Sequence, residues 1–378
     1  MRLSLVTQRI QTTAQLASKA VSTKTNVPVL SNLLLTATKD NQLKIESSDL
    51  EISIKVAIQA KVDEPGQITV PAKTFTEYIS TIKNDTVTLS SDGNQLMVSD
   101  GTNDASFVTM PAQDFPELPT YETQSDQAFL DPSLFRSLVK QTVFASASGD
   151  IHPVLTGVLF VFKHDHMVDV VATDSFRLSI VTVPFEGNLE GSFIVPASAL
   201  RDVDGLLADA SAIDASDAPL TFMASSEQNQ VFIKVGIVEV ISRLLDAQYP
   251  DYQRIIPTEF VSKIELSAAT FLDAVKTTAI FAEREGQSIK IMSNPLEGTL
   301  SLSAQSSAVG TYKGSSAATI TGDAHTLGFN ARYLVDAIQS IASDTLVMNI
   351  SGPTQPTVFT GKDDAAYRHI VMPMTLTD

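Results

Sequence analysis

The spacing of apolar residues along the chain switches between two periods. Helical spacing appears in Gln8–Lys24 through Ile10, Leu16, Ala17 and Ala20, in Pro132–Ser148 through Leu134, Leu138, Val139 and Phe144, and in Ala268–Arg284 through Phe271, Leu272, Val275 and Ile280. Asp131-Pro132 supplies a cap and a first-turn proline for the second of these. Between them, alternating β-branched runs predict strands at 42–58, 86–98, 154–162, 167–172, 231–242, 288–303 and 346–350. Turn residues such as Pro65-Gly and Asp92-Gly-Asn separate several of them.

The pattern repeats. Pro28-Val-Leu-Ser-Asn-Leu-Leu-Leu matches Pro153-Val-Leu-Thr-Gly-Val-Leu-Phe at an offset of 125 residues. Ser47-Ser-Asp-Leu-Glu-Ile-Ser-Ile matches the run from Ala172 through Thr173 and Asp174 to Ile180 at the same offset, and Met292-Ser-Asn-Pro-Leu-Glu-Gly-Thr-Leu-Ser is a weaker third copy. Ile68-Thr-Val-Pro-Ala-Lys-Thr-Phe, Phe193-Ile-Val-Pro-Ala-Ser-Ala-Leu and Leu327-Gly-Phe-Asn-Ala-Arg-Tyr-Leu each lead into a short amphipathic helix. A shared, gapless offset argues for true repeats over chance similarity among β-rich segments. The expected units are 1–122, 123–257 and 258–378, each α+β with two helices and many strands.

Composition narrows the possibilities. Of 378 residues, 43% are hydrophobic and 18% charged, enough to bury several cores and incompatible with a wholly disordered chain. The lack of cysteine excludes a disulfide framework, a thiol nucleophile and any cysteine-ligated metal or cluster. Met1–Ile10 has no continuous apolar region and no run of 18 apolar residues occurs, so neither a targeting segment nor a membrane span is expected.

Charge is uneven. The net charge is −17, yet the six candidate helices 7–24, 71–84, 132–148, 196–210, 267–284 and 329–343 together carry +4, leaving −21 for the rest. Helix 196–210 departs from its fellows, because Asp202, Asp204 and Asp209 outweigh Arg201.

No nucleophile elbow, phosphate-binding loop or dinucleotide fingerprint occurs. Among the five histidines, His164-Asp-His166 alone has ligand-like spacing, but it sits between two strand runs and reads as a solvated turn. Asp49 and Asp174 fall at equivalent repeat positions, which favours a turn role over an acid–base pair. No catalytic residue, cofactor or metal is expected.

Three segments carry a family resemblance: Ala172-Thr-Asp-Ser-Phe-Arg-Leu, Leu245-Asp-Ala-Gln-Tyr-Pro-Asp-Tyr-Gln-Arg-Ile-Ile-Pro and His369-Ile-Val-Met-Pro-Met. Within a three-repeat chain of this length, they resemble the bacterial DNA polymerase III beta subunit, the sliding clamp. The resemblance covers essentially the whole chain. It implies a clamp fold of three similar domains, closing with a second copy as a head-to-tail dimeric ring, a homodimer around duplex DNA. It also implies a cytoplasmic, non-catalytic processivity factor in DNA replication. Its partners would be the DNA polymerase III catalytic subunit, an ATP-driven clamp loader and other proteins with a clamp-binding motif. The alternative is a non-enzymatic β-repeat surface or interaction protein, which would be an extended monomer.

The resemblance also assigns residues. The DNA-facing candidates are Arg9, Lys19, Lys24, Lys73, Lys83, Arg136, Lys140, Arg201, Lys276 and Arg332, although surface helices carry such residues routinely. Phosphate contacts hold position without reading sequence, as sliding requires. Phe107 and Thr109 fall on one side of the implied dimer interface and Ile280 and Phe281 on the other; ordinary helix core is the other reading for the last two.

The implied partner-peptide pocket is lined by Leu155, Thr173, Ser175, Phe176, Arg177, Leu178, Pro250, Ile255, Ile370, Met372, Pro373 and Met374, with a last core strand as the other reading for the two methionines. The corresponding segment of the first repeat, 107–116, is more polar, and no pocket is expected there.

Overall fold

A computed structural model describes residues 1–22, 26–121, 126–149, 151–209, 218–282, 287–307 and 309–376. Among the described residues, six α-helices alternate with antiparallel strands: α1 (Thr7–Ala17), α2 (Ala72–Thr81), α3 (Pro132–Thr142), α4 (Ala197–Asp209), α5 (Ala268–Ala282) and α6 (Ala331–Ser340). Two helices end earlier than their periodicity predicts. After α1 the chain tightens into a 3-10 turn at Ser18–Ala20, and after α3 into another at Val143–Ala145. The Ser18 hydroxyl turns back onto the Ala14 carbonyl, the kind of local bond that competes with helix propagation.

The caps behave as their residue types dictate. Asp131 Oδ1 accepts from the Leu134 N–H at 2.9 Å, with Pro132 as the first residue of α3. Asn330 Oδ1 accepts from the Arg332 and Tyr333 N–H groups at the start of α6.

The chain separates into two compact units, residues 1–136 with 185–245, and 137–184 with 246–378. This division does not follow the three expected repeats, and strand pairing gives the reason. In the first unit a sheet runs in the order Glu186–Gly187, Ala128–Leu130, Leu220–Ser225, Gln230–Val235, Val238–Arg243, Ile52–Gln59, Gln42–Ser48, Asn32–Ala37, Gly66–Pro71. Its seam joins the second repeat to the first, with Val240 opposite Ile54 and Glu239 opposite Lys55. A five-stranded sheet accompanies it, from Lys61–Glu64 through Arg2–Val6, Thr86–Asp92 and Gln95–Ser99 to Asp104–Val108 at an edge.

In the second unit eight strands run Gly157–Phe162, Met167–Thr173, Arg177–Pro184, Asp364–Val371, Thr357–Gly361, Thr345–Ile350, Ser262–Ser267, Thr319–Gly322. Here the seam joins the second repeat to the third, with Leu178 opposite Ile370 and Ser179 opposite His369. A four-stranded sheet runs from the edge strand Gly310–Ala317 through Thr299–Ser306 and Ser288–Asn294 to Thr326–Asn330. Pairing across repeats protects strand edges that each repeat alone would leave open.

Alternation sets the cores. Strand Gln42–Ser48 buries Leu43 and Ile45 and turns Lys44 outward. Leu3, Ile10, Phe75 and Leu89 are fully buried in the first unit, and Phe271, Phe329, Leu334 and Phe359 in the second. Each such side chain contributes about 1.5–3 kcal/mol by leaving water.

Candidate partner-peptide site

The site is built on one turn. Asp174 Oδ1 accepts from the Phe176 and Arg177 N–H groups, both at 3.0 Å, and the Thr173 hydroxyl oxygen accepts from the Ser175 N–H at 3.1 Å. The first repeat makes the same turn 125 residues earlier: Asp49 Oδ1 accepts from Glu51 and Ile52, and the Ser48 oxygen accepts from Leu50. Ser175 and Leu50 both stand at left-handed φ, 79° and 78°. The turn role expected for the two aspartates is therefore the observed one. Asn294 plays a similar part in the third repeat, accepting from Leu296 and Glu297.

The two turns differ at the next residue. Ile52 is buried in the first repeat; its equivalent is Arg177, only 5% exposed. A buried guanidinium needs its donors satisfied. Arg177 donates through Nε to Asp174 Oδ2 at 3.0 Å, through Nη1 to Asp336 Oδ2 on α6, and through Nη2 to the Phe144 carbonyl at 2.6 Å. Its guanidinium carbon also lies 4.5 Å from the Tyr333 ring centroid and 5.2 Å from that of Phe144. Burial and the Asp174 charge raise the Tyr333 hydroxyl above its usual pKa, so this ring stays neutral.

Beside the turn runs the last strand. The Met372 N–H donates to the Phe176 carbonyl at 2.9 Å, and Arg177 and Leu178 stand opposite Val371 and Ile370. The Met374 N–H then donates to the Gly328 carbonyl at 2.8 Å. Gly328 has room for nothing larger, since a Cβ there would sit 2.7 Å from Leu376 and 2.8 Å from the Met374 carbonyl oxygen. The 3-10 helix Tyr252–Ile255 is fixed by the Tyr252 hydroxyl, which donates to Asp169 Oδ2 at 3.0 Å. Burial and that carboxylate push the Tyr252 pKa up to about 12. Asp169 is further held by Lys163 and Thr182 at 2.8 Å each.

Thus Thr173, Ser175, Phe176, Arg177, Leu178, Ile370 and Met372 are brought together. Leu155, Thr173, Arg177, Leu178 and Ile370 are buried, so they form the foundation of the site, not its open surface. The apolar groups left for a ligand are Phe176 at 61% exposure, Met374, Ile255 and the half-buried Met372. Pro250 is exposed and Pro373 half-buried. Phe144, Tyr333 and Asp336 join the site without being among the residues expected from the sequence. Tyr333 and Asp336 lie three residues apart on α6, one face of a helix, but nothing in the sequence names Arg177 as their partner.

Below the site lies His369, fully buried. Its Nδ1 is 2.7 Å from the Ser179 hydroxyl and 3.2 Å from that of Tyr367, which is 2.6 Å from Ser340 Oγ. Burial, aided by the Arg177 charge, pushes the imidazole down to about 3. His164 and His166 lie in an exposed hairpin turn, and no metal-binding cluster of three or more His, Asp or Glu occurs among the described residues.

The expected DNA-facing cations divide. Lys73 on α2, Lys140 on α3, Arg201 on α4, Lys276 on α5 and Arg332 on α6 are exposed, as is Arg9 on α1. Lys83 falls just beyond the end of α2, and Lys24 lies outside the described residues. Lys19 and Arg136 are ion-paired to α4, with Lys19 Nζ 2.7 Å from Asp209 Oδ2 and Arg136 Nε 2.8 Å from Asp204 Oδ1. The acidity of α4 thus neutralises neighbouring cations within the first unit.

Of the residues expected at a dimer interface, Phe107 is buried edge-on against Phe75 and Tyr78, with centroids 5.7 Å away in both cases, and Thr109 is also buried. Phe281 stacks on Tyr312 at 5.5 Å. The side chains offered outward are Val108, 74% exposed on an edge strand, and Ile280, 59% exposed on α5. Core packing of Phe107 and Phe281 is satisfied within their own units, so a partner would meet their neighbours first.

No described helix is long and apolar enough to cross a membrane. Comparison with known proteins gives one answer along the chain. Residues 1–119, 129–251 and 253–375 match, in order, the N-terminal, central and C-terminal domains of the DNA polymerase III beta subunit. The chain is 29% identical over 381 residues to the beta sliding clamp of Synechococcus elongatus, with both chains covered completely. Among solved structures, the DNA polymerase III beta subunit of Thermotoga maritima superposes with a TM-score of 0.89 at 25% identity, and the DNA polymerase sliding clamp of Bacillus subtilis with 0.92 at 24%; each is covered completely, as is this chain. Three domain matches in native order over nearly the whole length place the chain in the bacterial DNA polymerase III beta subunit family, the sliding clamps.

Proposed function

We propose that this chain is a processivity factor that encircles duplex DNA as a head-to-tail homodimer and tethers a DNA polymerase. The observation that carries the reading is the ordered match of all three beta-subunit domains. Its domains are 1–122, 123–257 and 258–378. The edge strands Asp104–Val108 and Gly310–Ala317 support a heterologous interface, because an open edge seeks a strand and a head-to-tail contact closes when the rotation permits. Val108 of one copy and Ile280 of the other supply apolar surface at that interface.

Exposed helical cations hold phosphate without reading bases. Phe176, Met372, Met374 and Ile255 receive the apolar anchors of a short partner peptide, and the methionines adapt to different ligands. The polymerase catalytic subunit, the loader and other proteins bearing such a peptide compete for this surface. The protein catalyses nothing, acts in the cytoplasm and relies on an ATP-driven loader for opening. Primer extension with the cognate polymerase tests this: added protein and loader should lengthen the product of each binding event. Unchanged product length with a verified dimer would refute the tethering role.

A further inference from the structure

The first unit contains a cleft of about 790 Å³ under the segment 112–120, in the place where a polar strand end led to the expectation of none. That volume is in the range of ligand sites. Its floor is the outer face of the seam sheet, where paired residues form a charge ladder. Lys234 stands opposite Glu239, Glu239 opposite Lys55, and Lys55 opposite Glu46, across four strands. Lys55 Nζ is 3.8 Å from Glu239 and donates to the Pro119 carbonyl at 2.6 Å, so one cation anchors both the seam and the roof. Lys44 and Lys234 are exposed and make no ion pair among the described residues.

The fold does not require this ladder. At the same offset of 125, Glu46 and Lys55 correspond to Val171 and Ile180 in the second unit, opposite each other and buried. The first unit therefore keeps an open polar floor where the second is packed shut. Desolvation is the leading cause that raises the Glu46 pKa, as a sheltered floor would produce.

We propose that this cleft binds an extended acidic peptide segment of a partner protein. Carboxylates of the ligand meet Lys44 and Lys234, while Lys55 remains committed to its own backbone and Glu239. Lys234 and Lys44 are three strand spacings apart and offset by two residues along the strand, roughly 16 Å, which matches about five residues of extended chain. Acidic residues five apart, the first and last of a six-residue segment, fit the floor beneath the half-buried roof side chain Leu118. This site is independent of the pocket around Phe176.

The test is fluorescence anisotropy of the labelled peptide Glu-Leu-Ser-Glu-Leu-Glu with the full chain at low salt. Wild type should bind it, Lys44→Glu with Lys234→Glu should weaken binding at least tenfold, and Met372→Ala should leave it unchanged. A Gln-for-Glu version of the peptide should bind at least tenfold more weakly. Absence of binding at millimolar peptide, equal binding of the neutral version, or indifference to the charge reversals would overturn the proposal. So would tighter binding of an oligothymidylate that the same reversals abolish, because the cleft would then be a nucleic-acid site. Circular dichroism of the double variant checks that the exposed substitutions leave the fold intact.

Discussion

Arg136 on α3 donates through Nε to Asp204 on α4 at 2.8 Å, so a cation expected to face phosphate is already committed to a carboxylate. Lys19 is committed in the same way to Asp209. Each pair is partly exposed and contributes little to stability, about 0–1 kcal/mol. Their larger consequence concerns DNA. Asp204→Asn and Asp209→Asn should each free one cation, strengthen binding to duplex DNA and steepen the dependence of log affinity on log salt by about one ion. Equilibrium titrations at several salt concentrations measure this; unchanged slopes would remove Lys19 and Arg136 from the DNA-binding set.

Arg177 should be far less tolerant. Its fork joins Asp174, Asp336 and the Phe144 carbonyl from a 5% exposed position. Arg177→Ala leaves the part-buried carboxylates of Asp174 and Asp336 without this cation and the Phe144 carbonyl without its donor, at a cost of about 3 kcal/mol. Arg177→Lys keeps the charge but loses the planar fork and should remain clearly destabilised. Thermal unfolding of both variants checks the order wild type, Lys, Ala.

These two cases mark what could be read from residues alone. The turn at Asp174 was legible because its residue types and spacing recur at Asp49, and a carboxylate two residues before a free N–H forms the same local bonds wherever it occurs. The partners of Arg177 were not legible, since Asp336 lies 159 residues away and helical spacing says nothing of what faces a helix. Strand alternation marked 42–58 and 231–242 as single runs, where the structure has a hairpin in each, and it could not pair Val238–Arg243 with Ile52–Gln59, so the shared seams were hidden. The buried state of Phe107 was equally invisible, because alternation marks a face and not what covers it. The charge ladder follows from that pairing and was hidden with it.

Met372→Ala should weaken binding of a glutamine–leucine–phenylalanine-type peptide about tenfold while leaving the dimer mass unchanged. The side chain is half-buried beside Phe176, and its backbone bond to the Phe176 carbonyl survives the substitution. Titration calorimetry gives the affinity; equal affinities would take Met372 out of the site.

His369 predicts an acid sensitivity. Its imidazole is pushed down to about 3 in the folded protein from an ordinary 6.5. The unfolded chain therefore binds a proton in a range where the folded chain does not. The contribution is fully present above about pH 6.5 and is lost as pH falls through the window toward 3, at about 1.4 kcal/mol per pH unit within it. Denaturation midpoints of wild type should fall more steeply between pH 6.5 and 4 than those of His369→Gln. Parallel profiles would show that the histidine does not carry this dependence.

The central claim is topological: the protein stays on DNA because it surrounds it. The direct measurement is the lifetime of loaded protein on a closed circular duplex before and after a single restriction cut, at moderate salt. Long retention on the intact circle and rapid loss once ends are available are expected of a protein that surrounds the duplex. Equal dissociation from circular and linear DNA would contradict it.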